Sequence, residues 1–176
     1  SADAMPTPGS TLVSAMAFSC RGFAVKLAGL GGQWFEGPPP IHQGKLFPGH
    51  TEDEITWMGG ESTITETVGL GGFAQACALS LQEYQGGSPD IMIERNQEMY
   101  EITHGENPDY RIPLFAFRGT PTAVDARKVL STGILPVMDV GLAGKDGGQI
   151  GAGVIRAPRE CFESALAAHA SAFGAA

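Results

Sequence analysis

Basic charge is scarce in this chain, and its scarcity excludes one large class of partners. The 176 residues contain 11 Lys and Arg against 19 Asp and Glu, for a formal net charge of −8 and a pI near 4.9. Nucleic acids are bound by basic faces that neutralise their phosphates, so we expect no nucleic-acid partner. A small anion stays compatible with this composition, because one arginine or one helix N-terminus is enough to hold it.

Cysteines and long apolar runs are also few. The three cysteines are widely spaced and form no CxxC motif or Cys/His cluster, which indicates ordinary thiols in a reducing, cytoplasmic setting and predicts no metal site. No apolar run reaches the length of a membrane span, and the first ten residues lack the basic and then apolar pattern of a signal peptide. Since the chain does not begin with methionine, we expect it to be a processed or excised piece of something longer.

Glycine, by contrast, is abundant, with 25 residues against a background of about 7%. Together with 43% hydrophobic and 17% charged residues, this predicts one mixed α/β (α+β) domain, a layered sheet-and-helix fold with glycine-rich loops. The domain is expected to cover residues 11–176 behind a flexible segment at 1–10, with a long irregular connection at 34–49. The predicted strands are 11–18, 23–28, 112–117, 135–142 and 150–157, and the predicted helices are 65–85, 91–104, 120–132 and 158–172.

The stretch GGESTITETVGLGGF, residues 59–73, has the features of an anion site. Gly60, Ser62, Thr63 and Thr65 stand at a predicted helix start, where free backbone N–H groups and the helix dipole attract anions. The alternative is helix capping, with Ser62 or Thr63 as the N-cap and Glu66 closing a capping box. The two roles are compatible.

A second candidate site is the stretch FRGTP at residues 117–121. It is predicted to join a strand end to a helix start, where open α/β folds place ligands. Arg118 can hold a carboxylate or a phosphate through two parallel hydrogen bonds. Gly119 and Thr120 lie beside it, and Thr120 is predicted to cap the helix ahead of Pro121.

A third candidate is the glycine-rich stretch at 139–153, in which Lys145 and Gln149 are candidate anion ligands. Neither the P-loop motif nor the dinucleotide fingerprint occurs, so we predict no cofactor. The alternative is a glycine-rich β-hairpin. His50, just ahead of an acidic run, is a candidate general base, although a solvated loop histidine is the alternative.

Three segments together resemble a known family. TETVGLGGFA (65–74), FRGTP (117–121) and GQIGAG (148–153), in that order, are similar to the C-terminal part of a bacterial family of largely unassigned function. Its members include a subunit of the oxamate carbamoyltransferase that acts at the end of anaerobic allantoin degradation. The resemblance extends over residues 11–166.

The resemblance implies longer chains, with a nucleotide-binding-like α/β region ahead of the part seen here. It implies carbamoyl transfer between carbamoyl phosphate and oxamate, with another subunit or a preceding region as partner and an oligomeric assembly. The S-T-R-T and H-P-x-Q signatures of the aspartate and ornithine carbamoyltransferases are absent, so those enzymes provide no template.

Fitted to that chemistry, the candidate catalytic residues are Glu61, Glu66, Arg118 and His50. The loop around Lys145 and the N–H groups of residues 60–63 would hold phosphate, and Arg118 would hold the substrate carboxylate. Amide hydrolysis is an alternative, with Glu61, Glu66 or His50 activating a water. A non-catalytic assembly subunit and a small-molecule binding module are further alternatives.

Overall fold

The computed structural model describes residues 7–19, 21–58 and 63–174. Its strands, in chain order, are β1 (Val13–Ser19), β2 (Gly22–Leu27), β3 (Phe35–Gly37), β4 (His42–Leu46), β5 (Ile55–Met58), β6 (Thr103–Ile112), β7 (Arg118–Val124), β8 (Val137–Gly144) and β9 (Gln149–Arg156). Its α-helices are α1 (Thr63–Glu66), α2 (Gln82–Gln85), α3 (Pro89–Glu101), α4 (Ala126–Thr132) and α5 (Arg159–Phe173). Short 3₁₀ turns, including Gly71–Cys77 and Leu79–Leu81, connect several of them.

The strands form three antiparallel sheets. Their strand orders are β1-β2-β3, β4-β9-β8-β5 and the two-stranded pair β6-β7. Helices pack against these sheets, so the predicted mixed α/β fold is confirmed. An all-antiparallel arrangement needs no crossover helix between neighbouring strands, because hairpins can join them.

The hydrophobic core joins the two larger sheets to the helices. Helix α5 lies across β2 and β3 and also contacts α4. The largest completely buried side chains include Phe23 of β2, Phe73, Met138 of β8 and Phe162 of α5. Each such side chain contributes about 1.5–3 kcal/mol of hydrophobic stabilisation. This core fixes the orientation of β8, which carries one wall of the site described below.

Residues 71–85 form a layer of short turns between the four-stranded sheet and α3. The turn Gly71–Cys77 contacts β8 and α3, while α2 lies over β9 and β4. Asn96 of α3 fixes this layer, because its side chain donates to the carbonyl of Phe73 at 2.9 Å and accepts from the amide of Ala76 at 3.0 Å. A buried side-chain amide with both groups satisfied holds its neighbours in a single arrangement.

Several predicted elements are confirmed. The two N-terminal strands form a hairpin in which Ser19 pairs with Gly22. The strands predicted at 135–142 and 150–157 are β8 and β9, and the last helix follows Pro158 as predicted. Helix α4 ends at Gly133, whose φ of 75° is the left-handed conformation that favours glycine.

The continuous helix predicted over 65–85 is wrong. The chain instead makes α1, a turn at 67–69 and a series of 3₁₀ turns before α2. Gly69 and Gly71 have φ values of +88° and +59°, which a right-handed helix does not contain. The region predicted as an irregular connection at 34–49 also differs, since it contains β3 and β4.

The strand predicted at 112–117 and the helix predicted from Thr120 are also wrong. Only the first residue of the predicted strand, Ile112, belongs to β6, and the chain then turns outward so that Phe117 is 65% exposed. Thr120 lies within β7, which pairs with β6. The next helix begins later, where the side chain of Asp125 accepts from the amide of Arg127 at 2.9 Å and serves as the N-cap.

Candidate functional site

A buried carboxyl group lies at the centre of the glycine-rich stretch. Glu66, the last residue of α1, has no exposed surface. Its Oε1 atom accepts from the backbone amides of Gly72 at 3.0 Å and Asp139 at 3.3 Å, and its Oε2 atom accepts from the hydroxyl of Thr65 at 3.2 Å. A Cβ atom on Gly71 would collide with Oε1. The glycines therefore let the chain fold tightly around this carboxylate.

The environment of Glu66 changes its protonation. Burial raises the pKa of its carboxyl from the ordinary 4.5 to about 7, although the amide of Gly72 favours the charged form and opposes the shift. The nearby Asp139 carboxyl adds to the increase, because two negative charges disfavour each other. Glu66 can therefore accept or donate a proton near neutral pH, which is a property common in catalytic carboxyl groups.

Asp139 continues the polar cluster on β8. Its Oδ1 atom accepts from Nε2 of Gln75 at 2.6 Å, and the same Nε2 lies 3.4 Å from Oε1 of Gln85. Burial raises the pKa of Asp139, whereas the amide side chains and the nearby Arg95 oppose that increase. Among the described residues, Oε1 of Gln75 has no hydrogen-bond partner. We refer to Glu66, Gln75, Gln85 and Asp139 as the Glu66 cluster.

The predicted anion-binding residues near the start of α1 are partly described. Gly60, Glu61 and Ser62 lie outside the described residues. Thr63 lies inside α1 rather than ahead of it, and its hydroxyl donates to the carbonyl of Met16 at 3.2 Å. The capping prediction, with Ser62 or Thr63 as the N-cap, falls on the boundary of residues 59–62, which lie outside the described part of the chain, whereas the Glu66 carboxyl accepts from the amides of Gly72 and Asp139.

Thr120 and its neighbours bring two of the three sequence motifs together. A Cβ atom on Gly69 would collide with Oγ1 of Thr120, and the hydroxyl of Thr122 donates to the carbonyl of Thr67 at 3.0 Å. The turn that follows α1 therefore packs directly on β7. Thr120 is buried, and its hydroxyl has no partner among the described residues.

Arg118 is engaged elsewhere. Its Nε atom lies 2.6 Å from Oε1 of Glu106, and its guanidinium stacks 3.7 Å from the ring centre of Tyr100. The amide of Gly119 donates to the other oxygen of Glu106 at 3.2 Å. Within the part of the chain that the structure describes, Arg118 makes no hydrogen bond or ion pair with the Glu66 cluster.

The remaining candidates meet at the far end of the β8-β9 hairpin. His50 pairs with Glu54 at 2.5 Å, and Nζ of Lys145 lies 3.8 Å from Asp53. Gln149 donates to the carbonyl of its own strand neighbour, Gly151, at 2.9 Å. These side chains are exposed and interact with one another or with their own strand. The structure does not bring them into contact with Glu66.

Sequence reasoning missed Asp139, Gln75, Gln85 and Arg95. One signal was available for Asp139, since it is the single charged residue in the apolar run LPVMDVGL of residues 135–142. A carboxylate inside a buried strand is costly to desolvate and therefore often functional. The glutamines and the arginine carry no comparable local signal, because polar residues on short helices are usually solvated.

Within residues 7–19, 21–58 and 63–174, no three His, Cys, Asp or Glu side chains are grouped so that they could hold a metal ion.

None of the described helices combines the length and the apolar character that a membrane crossing requires.

Comparisons with known proteins identify relatives over nearly the whole chain. A family model described as oxamate carbamoyltransferase subunit AllG matches residues 1–62. The uncharacterized protein YahG of Escherichia coli (strain K12) is 42% identical over 167 residues, which cover 94% of this chain and 35% of YahG. The oxamate carbamoyltransferase subunit AllG of the same strain is 39% identical over 176 residues, which cover 98% of this chain and 42% of AllG.

A solved structure has the same fold. It is the crystal structure of a conserved protein of unknown function from Enterococcus faecalis V583, with a TM-score of 0.91 and 38% sequence identity. The match covers 96% of this chain and 41% of that chain. The α+β fold described above is therefore shared with this protein. The chain spans about two fifths of its length, and 35–42% of the two curated relatives.

These similarities confirm the resemblance drawn from the three sequence motifs. The chain belongs to the bacterial family that includes the oxamate carbamoyltransferase subunit AllG.

Proposed function

We propose that this chain is part of a carbamoyltransferase that acts on oxamate, or a similar small amide carrying a carboxylate, with carbamoyl phosphate. The family relationship to AllG supports the reaction class. The observation that carries the proposal is the Glu66 carboxyl, which is fully buried and has a pKa raised to about 7. We assign Glu66 as the group that exchanges a proton with the substrate.

The reaction requires one proton acceptor. The amide nitrogen of oxamate attacks the carbonyl carbon of carbamoyl phosphate, a new C–N bond forms, and the bond from that carbon to the phosphate oxygen breaks. Inorganic phosphate leaves, and the proton lost by the attacking nitrogen passes to the ionised Glu66 carboxylate. A carboxylate with a pKa near the working pH is suited to this step. The backbone amides of Gly72 and Asp139 would hold its oxygen in place.

The other groups of the cluster are suited to an amide substrate. Oε1 of Gln75 is a buried acceptor without a donor among the described residues, and both oxamate and the carbamoyl group carry N–H donors. Positioning the two substrates and stabilising developing charge would supply most of the rate increase, without a covalent intermediate. The proposed phosphate contacts remain the N–H groups of residues 60–63, of which the last, Thr63, is the first residue of α1.

The residues at the end of the β8-β9 hairpin have no role in the proposed reaction. His50 and Lys145 are paired with acidic neighbours, and Gln149 is bonded within its own strand. A cytoplasmic location stays a prediction from the cysteine pattern.

The proposed active site requires protein beyond the chain described here. AllG is named as a subunit, and this chain spans 42% of it. We therefore propose that the complete active site is formed together with further protein, either another region of a longer chain or a second subunit. A non-catalytic assembly role is the rival within this arrangement, and it would leave Glu66 without a catalytic effect.

The test is an assay of phosphate release from carbamoyl phosphate, performed on the full-length protein with its partner subunits. Release should depend on oxamate, and Glu66→Gln should lower kcat by about 100-fold or more, as expected for loss of a general base. Glu101→Gln, at an exposed position of α3, is the matched control and should keep the wild-type rate. Wild-type kcat in the folded Glu66→Gln protein would contradict the proposal. Hydrolysis would be indicated by phosphate release that does not require oxamate.

A further inference from the structure

The strand β4 has an open edge. It is the outermost strand of the four-stranded sheet and pairs with β9 on one side. Among the described residues, no backbone hydrogen bond joins β4 to any other segment, and the three residues in its middle, Gln43, Gly44 and Lys45, are exposed. An edge strand of this kind presents a row of unpaired N–H and C=O groups that can bind a further strand.

The direction of these backbone groups follows from one hydrogen bond. The amide of Phe47 donates to the carbonyl of Ile150 at 2.8 Å, which continues the β4-β9 ladder by one residue. Residues that bond to a given neighbour alternate along an antiparallel strand, so every second residue before Phe47 also bonds to β9. The residues between these positions direct their N–H and C=O groups outward, namely His42, Gly44 and Leu46.

This edge is complementary to a second copy of itself. When two β4 strands run antiparallel with Gly44 of each copy opposed, His42 lies opposite Leu46, and every outward N–H and C=O group obtains a partner. A shift of two residues in either direction leaves some of these groups unpaired, and one such shift places the two Lys45 residues directly opposite each other, which is destabilising. The register centred on Gly44 instead places Lys45 opposite the uncharged Gln43.

The same register covers apolar side chains that are exposed in a single copy. Ile41, which immediately precedes β4, is 83% exposed, and it lies opposite Phe47 of the second copy when the register is continued. The ring of Phe47 packs edge-on against Tyr84 of α2, with 6.4 Å between ring centres, and Tyr84 is 56% exposed. Ile41 and Phe47 are six positions apart and so lie on one face of the sheet. Covering these side chains would favour association.

Lys45 does not block this edge. Lysines on edge strands commonly prevent one sheet from pairing with another. Here the Nζ atom of Lys45 donates to the carbonyl of Glu83 at 3.0 Å, and Glu83 belongs to α2, which lies over β4 and β9. The positive charge is therefore held over the face of the sheet and away from its edge.

We propose that two copies of this chain associate through β4, which joins their four-stranded sheets into one continuous antiparallel sheet around a twofold axis at Gly44. The partner is a second copy because residues 41–47 supply both members of every pair in this register, as a twofold interface requires. The association does not depend on the proposed carbamoyl transfer.

The first test is sedimentation of the full-length protein, without other subunits, at physiological ionic strength, and a dimer is expected. Ile41→Asp places a charge in the apolar contact and should weaken dimerisation by about tenfold or more. Because Ile41 is exposed in the single copy, the variant should melt within a few degrees of the wild type, which separates lost association from unfolding. Leu114→Asp, at another exposed apolar position, is the matched control and should dimerise like the wild type.

The register is tested by disulfide cross-linking. Residue 43 of one copy and residue 45 of the other form a non-hydrogen-bonded pair, whose Cα atoms are about 4.5 Å apart, within the range of about 4.4–6.8 Å that a disulfide spans. The folded double variant Gln43→Cys/Lys45→Cys should therefore form a covalent dimer on mild oxidation. Each single variant is a control that should not, because like positions lie on a diagonal of about 7–8 Å. Gly44 is kept, since a Cβ atom there would collide with the carbonyl of Ala152.

Three results would overturn the inference. A full-length protein that sediments as a monomer would indicate that another region of the longer chain covers β4. A dimer that folded Ile41→Asp leaves intact would place the interface elsewhere. A folded double-cysteine variant that cross-links no more than the two single variants would contradict the register centred on Gly44.

Discussion

The carboxyl group of Glu66 accepts a hydrogen bond from the backbone amide of Asp139 at 3.3 Å. The two residues are 73 positions apart in the chain, so this bond joins the glycine-rich stretch to the central strand β8. It also places two carboxyl groups in one buried region, where each raises the cost of ionising the other. The proposed chemistry depends on this juxtaposition.

Gly72 is predicted to be essential for the packing of that stretch. A Cβ atom at this position would collide with the carbonyl of Val137, a backbone group of β8 that cannot move aside easily. Gly72→Ala should therefore destabilise the protein by about 1–3 kcal/mol or more. Urea denaturation of the wild type and the variant measures the change.

Gly32→Ala is the control for that substitution. A Cβ atom at Gly32 meets nothing within 4 Å, so the free energy of unfolding should change by less than about 0.5 kcal/mol. Equal effects of the two substitutions would show that the close approach between Gly72 and β8 does not contribute to stability.

The raised pKa of Glu66 predicts a specific pH dependence of stability. Its carboxyl has a pKa of about 7 when folded against an ordinary 4.5, so between these values the folded protein binds more protons than the unfolded chain. Stability should therefore fall as the pH rises from about 4.5 to 7 and level off above that range, with a total change of order 3 kcal/mol.

Glu66→Gln should remove this contribution to the pH dependence. Chemical denaturation at a series of pH values would show a flatter curve for the variant, which should exceed the wild type in stability at pH 8. Glu101→Gln, at an exposed site, should retain the wild-type curve. A wild-type stability that does not depend on Glu66 across this interval would refute the shifted pKa.

Asp125 is predicted to stabilise the protein through three hydrogen bonds. It accepts from the hydroxyl of Thr11 at 2.8 Å, the amide of Arg127 at 2.9 Å and the ring of His104 at 2.7 Å. Asp125→Ala removes all three acceptors, and loss of the N-cap alone should cost about 0.5–2 kcal/mol. Thermal denaturation checks this, with Asp146→Ala, in the exposed turn between β8 and β9, as a control that should be neutral.

The pH dependence of Asp125 has the opposite sign to that of Glu66. Burial alone would raise the pKa of Asp125, but the hydrogen bond with His104 and the donors from Arg127 and Thr11 together hold it below the ordinary 3.8. Its contribution to stability is therefore fully present above pH 3.8 and should disappear as the pH falls through the lowered pKa. The difference in stability between wild type and Asp125→Ala should accordingly shrink in strong acid.

Arg118→Ala is predicted to have a small effect on stability. The ion pair with Glu106 is about half exposed, so it contributes at most about 1 kcal/mol, and the stacking on Tyr100 adds a similar amount. Thermal denaturation measures this loss. The sequence favoured Arg118 as the anion-binding residue, so oxamate titration of the same folded variant also tests that hypothesis, which loss of affinity would support and unchanged affinity would contradict.

Local patterns predicted those elements whose signals are local. The alternation of apolar residues identified β1, β2, β8 and β9, and Gly133 and Pro158 marked a helix end and a helix start. Turn and cap residues act through the backbone of their immediate neighbours, so their effects can be read from a short stretch of sequence.

Long-range contacts decided what the sequence could not predict. Thr120 and Asp125 are both acceptable N-caps, and hydrogen bonds from the distant Thr11 and from His104 favour Asp125. Glu66 was a candidate from its sequence context, but its hydrogen bond with the amide of Asp139 is a contact between residues 73 positions apart. Arg95 has no local signal, because an arginine on an amphipathic helix is usually a solvated surface charge.

The most direct test of the central claim is a carbon-13 NMR titration of the Glu66 side-chain carboxyl in the full-length protein, assigned by comparison with Glu66→Gln. The account predicts a midpoint near pH 7, well above the ordinary 4.5 of glutamate. A midpoint at or below 4.5 would mean that Glu66 is fully ionised at neutral pH and bound only as a structural carboxylate. That result would contradict its assignment as the proton-exchanging group.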